Sequence, residues 1–220
     1  MELSIDTAAE LASVALSREG KLVDDVAWRC RRNHTVEVLP TIDKLLSDRR
    51  VNKPELTAVF VCTGPGTYTG LRVGVSLAQG LARGLAVPAL GVGRLELDAY
   101  PHADFEGGIV AVHRAGRGEL AWASYRGDPW RELSAPRLSQ PEELVATIAR
   151  GTLVVGEVDE ELMGLMEGPD IIVSEPAGEG RARSLAELGY ARLSAGETAE
   201  AALLRPVYLR PPAIGRKKGE

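Results

Sequence analysis

The sequence predicts an α/β protein built on a mixed sheet, and three observations carry that expectation. The first thirty residues read as consecutive strands folded back at a glycine turn. From residue 34 onward, helical and strand periodicities alternate. The run "LTAVFVCT", residues 56–63, is almost continuously apolar, the pattern of a strand covered on both faces. A hairpin first and alternation afterwards describe a mixed sheet, not a purely parallel one.

The elements follow in order. "LSIDTA" is a short apolar strand that ends in small polar groups. "ASVALSREG" alternates by twos up to a turn at Glu19 and Gly20, and "KLVDDVAWRC" resumes after it, which makes a hairpin. Asn33 offers an N-cap. Val38, Leu39, Ile42, Leu45 and Leu46 then recur at helical spacing. Pro40 falls inside this pattern and either marks the first turn of a later helix or kinks a longer one. After the strand at 56–63 comes a glycine-rich turn, a helix to about Leu85, and the strand "VPALGV". The first lobe therefore reads β-β-β-α-β-α-β.

The second half is patterned more weakly. "GGIVAVHRAGRGELAWASYRGD" reads as two strands around a turn. "QPEELVATIAR" is an amphipathic helix ended by Gly151. "TLVVGEV" and "DIIVSEP" are strands with a short helix between them, and residues 183–195 form a last helix. "PHADFEGG" at 101–108 divides a first lobe, 1–100, from a smaller second lobe, 101–220, with a basic tail. No internal repeat is visible.

A chain of 220 residues that is 45% apolar can bury a core. Its net charge of −5 argues against holding nucleic acid by its whole surface. Cys30 and Cys62 have no metal-spaced partners and read as buried reduced thiols, which fits a cytoplasmic location. The N-terminus lacks a signal-peptide pattern, and no apolar run approaches the ~20 residues of a membrane span, so no membrane partner is expected.

Six glycines and one proline fall in "CTGPGTYTGLRVGVSLAQGLARG", residues 62–84. A Walker-type loop needs a lysine and a hydroxyl after its last glycine. Here Leu71 and Arg72 follow Gly70. The dinucleotide fingerprint fails as well, because Gly64, Gly66 and Gly70 are wrongly spaced. Backbone amides at the helix start still suit an anion. The packing reading starts from Gly70, Gly74, Ala78 and Ala82, which fall four apart on one helix stripe flanked by Leu71, Val75 and Leu77. Small residues let another helix approach closely, and each glycine costs the helix about 1 kcal/mol against alanine. Periodicity leaves open whether that contact lies inside the fold or with a second subunit.

Asp6 and Thr7 end the first strand, where polar groups face a cleft in many α/β folds. Asp6 either holds a magnesium ion through water or caps the following turn. His34, His102 and His113 form no metal-spaced pair, so no metal ligands are predicted. No G-x-S-x-G elbow occurs. The end "RPVYLRPPAIGRKKGE" is basic and reads as a solvated tail, with contact to an acidic partner such as RNA as the other reading.

"IDTA", "SVAL", "HTVEVLP", "GPGTYTGLRVG" with "AQGLA", "VPALGV" and "PVYLR" occur here in the order seen in the TsaB (YeaZ) family. The chain resembles that family over nearly its whole length, and "GPGTYTGLRVG" is the specific segment. The resemblance implies the two-lobed actin-like ATPase fold (ASKHA, ribonuclease-H-like). It implies a non-catalytic relative of TsaD that joins TsaD and TsaE in the bacterial complex forming N6-threonylcarbamoyladenosine beside the anticodon. The chain would touch tRNA only through that complex. Where the catalytic relative has a paired-histidine metal motif, this chain has His34 followed by Thr35, Val36 and Glu37, so no catalytic residue is expected.

The resemblance also places the surface that meets TsaD, or a second copy of the chain in a homodimer, on two helices. Its residues are then His34, Val38, Leu39, Ile42 and Leu46 on the first, and Gly70, Leu71, Gly74, Leu77 and Ala78 on the second. On that view Gly74→Leu breaks binding and spares the fold. No cofactor is expected on the isolated chain; ATP or ADP and magnesium are expected at the interface of the full complex. Asp6, Thr7, Arg114 and Arg117 are the residues expected near nucleotide or RNA. The family's Asp-Ala-Arg run before Gly-Glu is "HRAGRGE" here, so Arg117 keeps the arginine and the aspartate is absent. Two rivals have distinct requirements. A stand-alone actin-like kinase or ATPase needs an acidic metal site, for which Asp6 is the one candidate, and a peptidase needs a nucleophile or a metal pair.

Overall fold

The computed structural model describes residues 1–30, 33–166, 171–173, 180–197 and 201–209. Strands β1 (Glu2–Asp6), β2 (Leu11–Arg18) and β3 (Lys21–Arg29) come first, then α1 (His34–Asp48), β4 (Ala58–Gly64), α2 (Tyr68–Leu85) and β5 (Ala89–Gly93). This is the predicted β-β-β-α-β-α-β order. The sheet runs β3-β2-β1-β4-β5. β1 pairs antiparallel with β2 and parallel with β4, so the sheet is mixed. Every residue of β1 and β4 is buried, as their apolar runs require.

Two positive φ angles at Glu19 and Gly20 close the β2–β3 hairpin in the sense that matches strand twist. Buried Glu2 holds that turn, accepting from Ser17 Oγ at 2.7 Å and from the Glu19 N–H at 3.1 Å. Pro40 lies within α1, so the longer helix is the one that forms.

A short helix, α3 (Arg94–Ala99), leads into the second lobe: β6 (Ile109–Gly116), β7 (Glu119–Arg126), β8 (Arg131–Ser139), α4 (Pro141–Thr147), β9 (Thr152–Gly156), α5 (Glu160–Leu165) and β10 (Ile171–Val173). This sheet runs β10-β9-β6-β7-β8. β6 and β7 are antiparallel, and β6 is parallel to β9. The order and directions repeat those of the first sheet, with β6 in the place of β1. The repeat is one of topology, and the pattern of side chains does not announce it. β8 and α3 lie outside the sequence-based expectation. β8 is a polar edge strand that carries Pro136, a residue tolerated at an edge, where a ladder donor can be missing.

The last helix, α6 (Ala182–Ser194), follows the second sheet in the chain but packs on the first. Leu185 and Leu188 join Phe60, Leu90 and Leu97 on one face of that sheet. Val38, Ile42 and Leu45 of α1, with Val75, Ala78 and Ala82 of α2, cover the other. The start of the tail is seated as well, contrary to the expectation of a solvated end. Val207 N–H donates to Thr63 O at 2.7 Å, and Gln79 Nε2 donates to Leu204 O at 3.1 Å. Residues 210–220 lie outside the described residues. Among the described residues no helix is long and apolar enough to cross a membrane.

Candidate functional site

The glycine segment joins β4 to α2 and is packed by the end of β1. Thr67 N–H donates to Ala8 O at 2.8 Å. A Cβ on Gly70 would stand 2.0 Å from Thr7 O, and one on Gly74 would stand 2.3 Å from Thr7 Oγ1. Thr7 Oγ1 in turn donates to Gly70 O at 2.7 Å. Ala78 and Ala82 continue this face into the core. The stripe expected to meet a partner is therefore spent inside the fold, and that expectation is corrected.

The same correction applies to several neighbours. Leu71, Val38, Ile42 and Leu46 are core residues with no face toward solvent. His34 begins α1, but its side chain lies outside what is described. Leu39 is exposed and Leu77 half-buried. The outer face of α2 is set by Tyr68, Arg72, Ser76, Gly80 and Gly84, all exposed and again four apart. A Cβ on Gly80 or Gly84 would meet nothing within 4 Å. On the neighbouring α1, Val36 is 66% exposed and Leu39 42%. Sequence reasoning found a small-residue stripe on α2 but missed that there are two, on opposite sides.

The second candidate region is the cleft between the lobes, a cavity of ≈ 410 Å³. Gly66, Thr67 and Tyr68 line one side, His113 and Arg114 the other, and Tyr208 its edge. The Tyr68 and Tyr208 rings lie 5.3 Å apart, and the Arg72 guanidinium sits 4.0 Å over Tyr68. Asp6 is fully buried. Its Oδ1 accepts from Ala8 N–H at 2.8 Å, and its Oδ2 faces Arg181 Nη1 at 3.5 Å. Asp6 thus caps its own turn, one of its two predicted roles. Arg114 pairs with Asp159 and with Glu161. Arg117 is exposed in the β6–β7 turn, where its φ of 58° and the 78° of Gly118 make a hairpin of the twist-matching type. Thr7 is thus joined to the start of α2, Asp6 to its own turn and to Arg181, Arg114 lines the cleft, and Arg117 stands apart from them.

Four residues that sequence reasoning did not single out hold this region together. Arg94, 2% exposed, places Nη2 at 2.6 Å from Glu157 Oε1. Glu157 Oε2 lies 2.8 Å from His113 Nδ1, which Arg94 Nη1 also approaches at 2.8 Å, and it accepts from the Arg114 N–H at 3.0 Å. Burial alone would lift the Glu157 carboxyl; the bond from His113 and the charge of Arg94 outweigh it and hold that carboxyl well below its usual range. Arg181 Nε donates to Asp98 Oδ1 at 2.5 Å. Burial works against the Arg181 charge, but Asp98 and Asp6 override it and raise its pKa. The Arg94–Asp98 spacing of four on one helix was the single local signal for this cluster. Among the described residues no group of three His, Cys, Asp or Glu side chains could hold a metal ion.

Two copies of one mixed-sheet topology, with a cleft between the carboxyl ends of their central strands, define an actin-like two-lobed protein. The model of the family described as TsaD, tRNA N6-adenosine threonylcarbamoyltransferase, matches residues 28–154. The chain belongs to this family, within its TsaB (YeaZ) group. It is 29% identical to the Escherichia coli K12 tRNA threonylcarbamoyladenosine biosynthesis protein TsaB, over 98% of this chain and 96% of that one. It is 35% identical to the Bacillus subtilis 168 protein of the same name, over 56% of this chain and 54% of that one. The solved structure of YeaZ from Pseudomonas aeruginosa superposes with a TM-score of 0.81 at 27% identity, covering 94% of this chain and 99% of that chain.

Proposed function

We propose that the chain is a non-catalytic subunit of the machinery that forms N6-threonylcarbamoyladenosine in tRNA, and that it binds the catalytic subunit TsaD. The relatives named above carry this pathway in their names. The observation that carries the reading is the outer face of α1 and α2. It combines exposed Val36 and Leu39 with the small residues Ser76, Gly80 and Gly84, a surface suited to close packing by another helix. The same face serves a homodimer when TsaD is absent.

The state of Asp6 supports the non-catalytic part. Its carboxylate is buried and engaged by Ala8 N–H and by Arg181, in place of the acidic metal site that a stand-alone kinase or ATPase needs. ATP, magnesium and TsaE enter only with the full complex, and tRNA is reached through it. The test is a tRNA modification assay with purified TsaD, TsaE and this chain, each left out in turn. The proposal expects modification to require the chain. It also expects the chain alone to hydrolyse no ATP; turnover that survives purification and disappears on Asp6→Ala would overturn it.

A further inference from the structure

β1 and β6 are the corresponding central strands of the two sheets; β1 ends in Asp6, and β6 carries His113 in its second half. From Asp6 to Glu157 runs an unbroken succession of charged side chains of alternating sign, with His113 beside its last member. Asp6 Oδ2 lies 3.5 Å from Arg181 Nη1, and Arg181 Nε lies 2.5 Å from Asp98 Oδ1. Asp98 Oδ2 lies 3.6 Å from Arg94 Nε, and Arg94 Nη2 lies 2.6 Å from Glu157 Oε1. Glu157 Oε2 completes the run to His113 Nδ1 at 2.8 Å. The contributors are β1, the start of α6, α3, the turn after β9, and β6. α6 belongs to the first sheet, β6 and β9 to the second, and α3 packs against both.

We propose that this run is a latch that sets the angle between the two lobes, so that the cleft is held by the chain's own side chains and not by a ligand. Apolar surfaces tolerate sliding, because burial energy is non-directional. Buried charges do not, since their desolvation is offset only while each partner stays in place. Asp6 is fully buried, Arg94 is 2% exposed, and Asp98 and Arg181 are 11% and 15% exposed. A rotation that opened the cleft would part Arg94 from Glu157, or Arg181 from Asp98, and leave charge uncompensated in a poorly solvated place. Arg181, Asp98 and Arg94 each have an opposite charge on both sides, so one broken link weakens the next. The latch is independent of which partner the chain binds.

The test is the distance between lobes in the isolated full chain. Spin labels at Arg83→Cys on α2 and Glu132→Cys on β8, both exposed, report it by pulsed dipolar spectroscopy. Cys30 and Cys62 are buried and stay unlabelled. Dilution with unlabelled chain removes distances between copies. The latch predicts one narrow distribution that ATP and magnesium leave unchanged, and a broader, longer one in Glu157→Gln and in Arg181→Met. Circular dichroism checks that both variants are folded. If Arg181→Met does not fold, Glu157→Gln decides, because that carboxyl is 40% exposed and the change keeps its volume. Parental distributions in the folded variants, or a parental distribution that narrows on adding ATP and magnesium, would overturn the latch.

Discussion

Thr7 and Gly74 meet across the first lobe: a Cβ on Gly74 would lie 2.3 Å from Thr7 Oγ1. The glycines at the start of α2 are therefore a requirement of the join between β1 and α2. The face that remains open lies at Ser76, Gly80 and Gly84. A step of two residues turns a helix by about 200°, so the two stripes look in opposite directions.

Gly74→Leu is expected to destabilise the monomer itself. Overpacking costs about 1–3 kcal/mol, and the better helix propensity of leucine recovers less than about 1 kcal/mol of that. A thermal melt should fall by several degrees with poor soluble yield. A melt at or above the parent's would place the stripe on the surface after all.

Gly80→Ala and Gly84→Ala should each stabilise the chain, by roughly 0.5–1 kcal/mol, because alanine lowers the entropy cost of the helix. Neither added methyl meets a neighbour. Urea unfolding of each variant reads the gain, and a loss at both positions would mean that this face is covered in the monomer.

Acid should weaken the protein partly through Glu157. Its folded pKa is depressed below the ordinary 4.5, so its contribution is complete above that value and is lost as pH falls beneath it toward the folded pKa. Stability measured from pH 6 to pH 3 should drop less steeply in Glu157→Gln than in the parent. Equal slopes would show that the Arg94 and His113 contacts contribute nothing to the acid response.

The Cys62 thiol should be inert in the folded chain. Burial, and then the charge of Asp6, push its pKa well up, and the side chain is 1% exposed. An aromatic disulfide reagent should react with it only as fast as the protein unfolds, so the rate should rise with urea. Rapid labelling in native buffer would contradict its burial.

What the sequence disclosed follows from how local each signal was. The first lobe was legible because its strands are continuous or alternating apolar runs, and because Glu19-Gly20 marks its hairpin. β8 escaped because "RELSAPRLS" is polar and contains Pro136, so edge exposure removed the pattern that identifies a strand. The duplication escaped because β1 and β6 share a place in the topology and no common residue pattern. The inward stripe of α2 was not distinguishable from an outward one, because small residues recur every four positions on two sides of α2, and periodicity cannot say which side is inward. The charged latch was beyond reach: Arg181 meets residues 175 and 83 positions away, and Arg94 meets one 63 positions away. Only the topology brings them together.

The central claim is that the outer face of α1 and α2 carries the partner, and Gly80→Leu tests it most directly. A Cβ there meets nothing in the monomer and the position is exposed, so the fold should keep its melting temperature or gain slightly. Against a closely packed partner helix it should cost about 1–3 kcal/mol, a loss of roughly 5- to 150-fold in Kd. The measurement is calorimetric titration of purified TsaD, from the organism that carries this chain, with the parent and with Gly80→Leu. The account predicts a loss of affinity in that range with an undiminished melt. Unchanged affinity in a folded Gly80→Leu variant would contradict it.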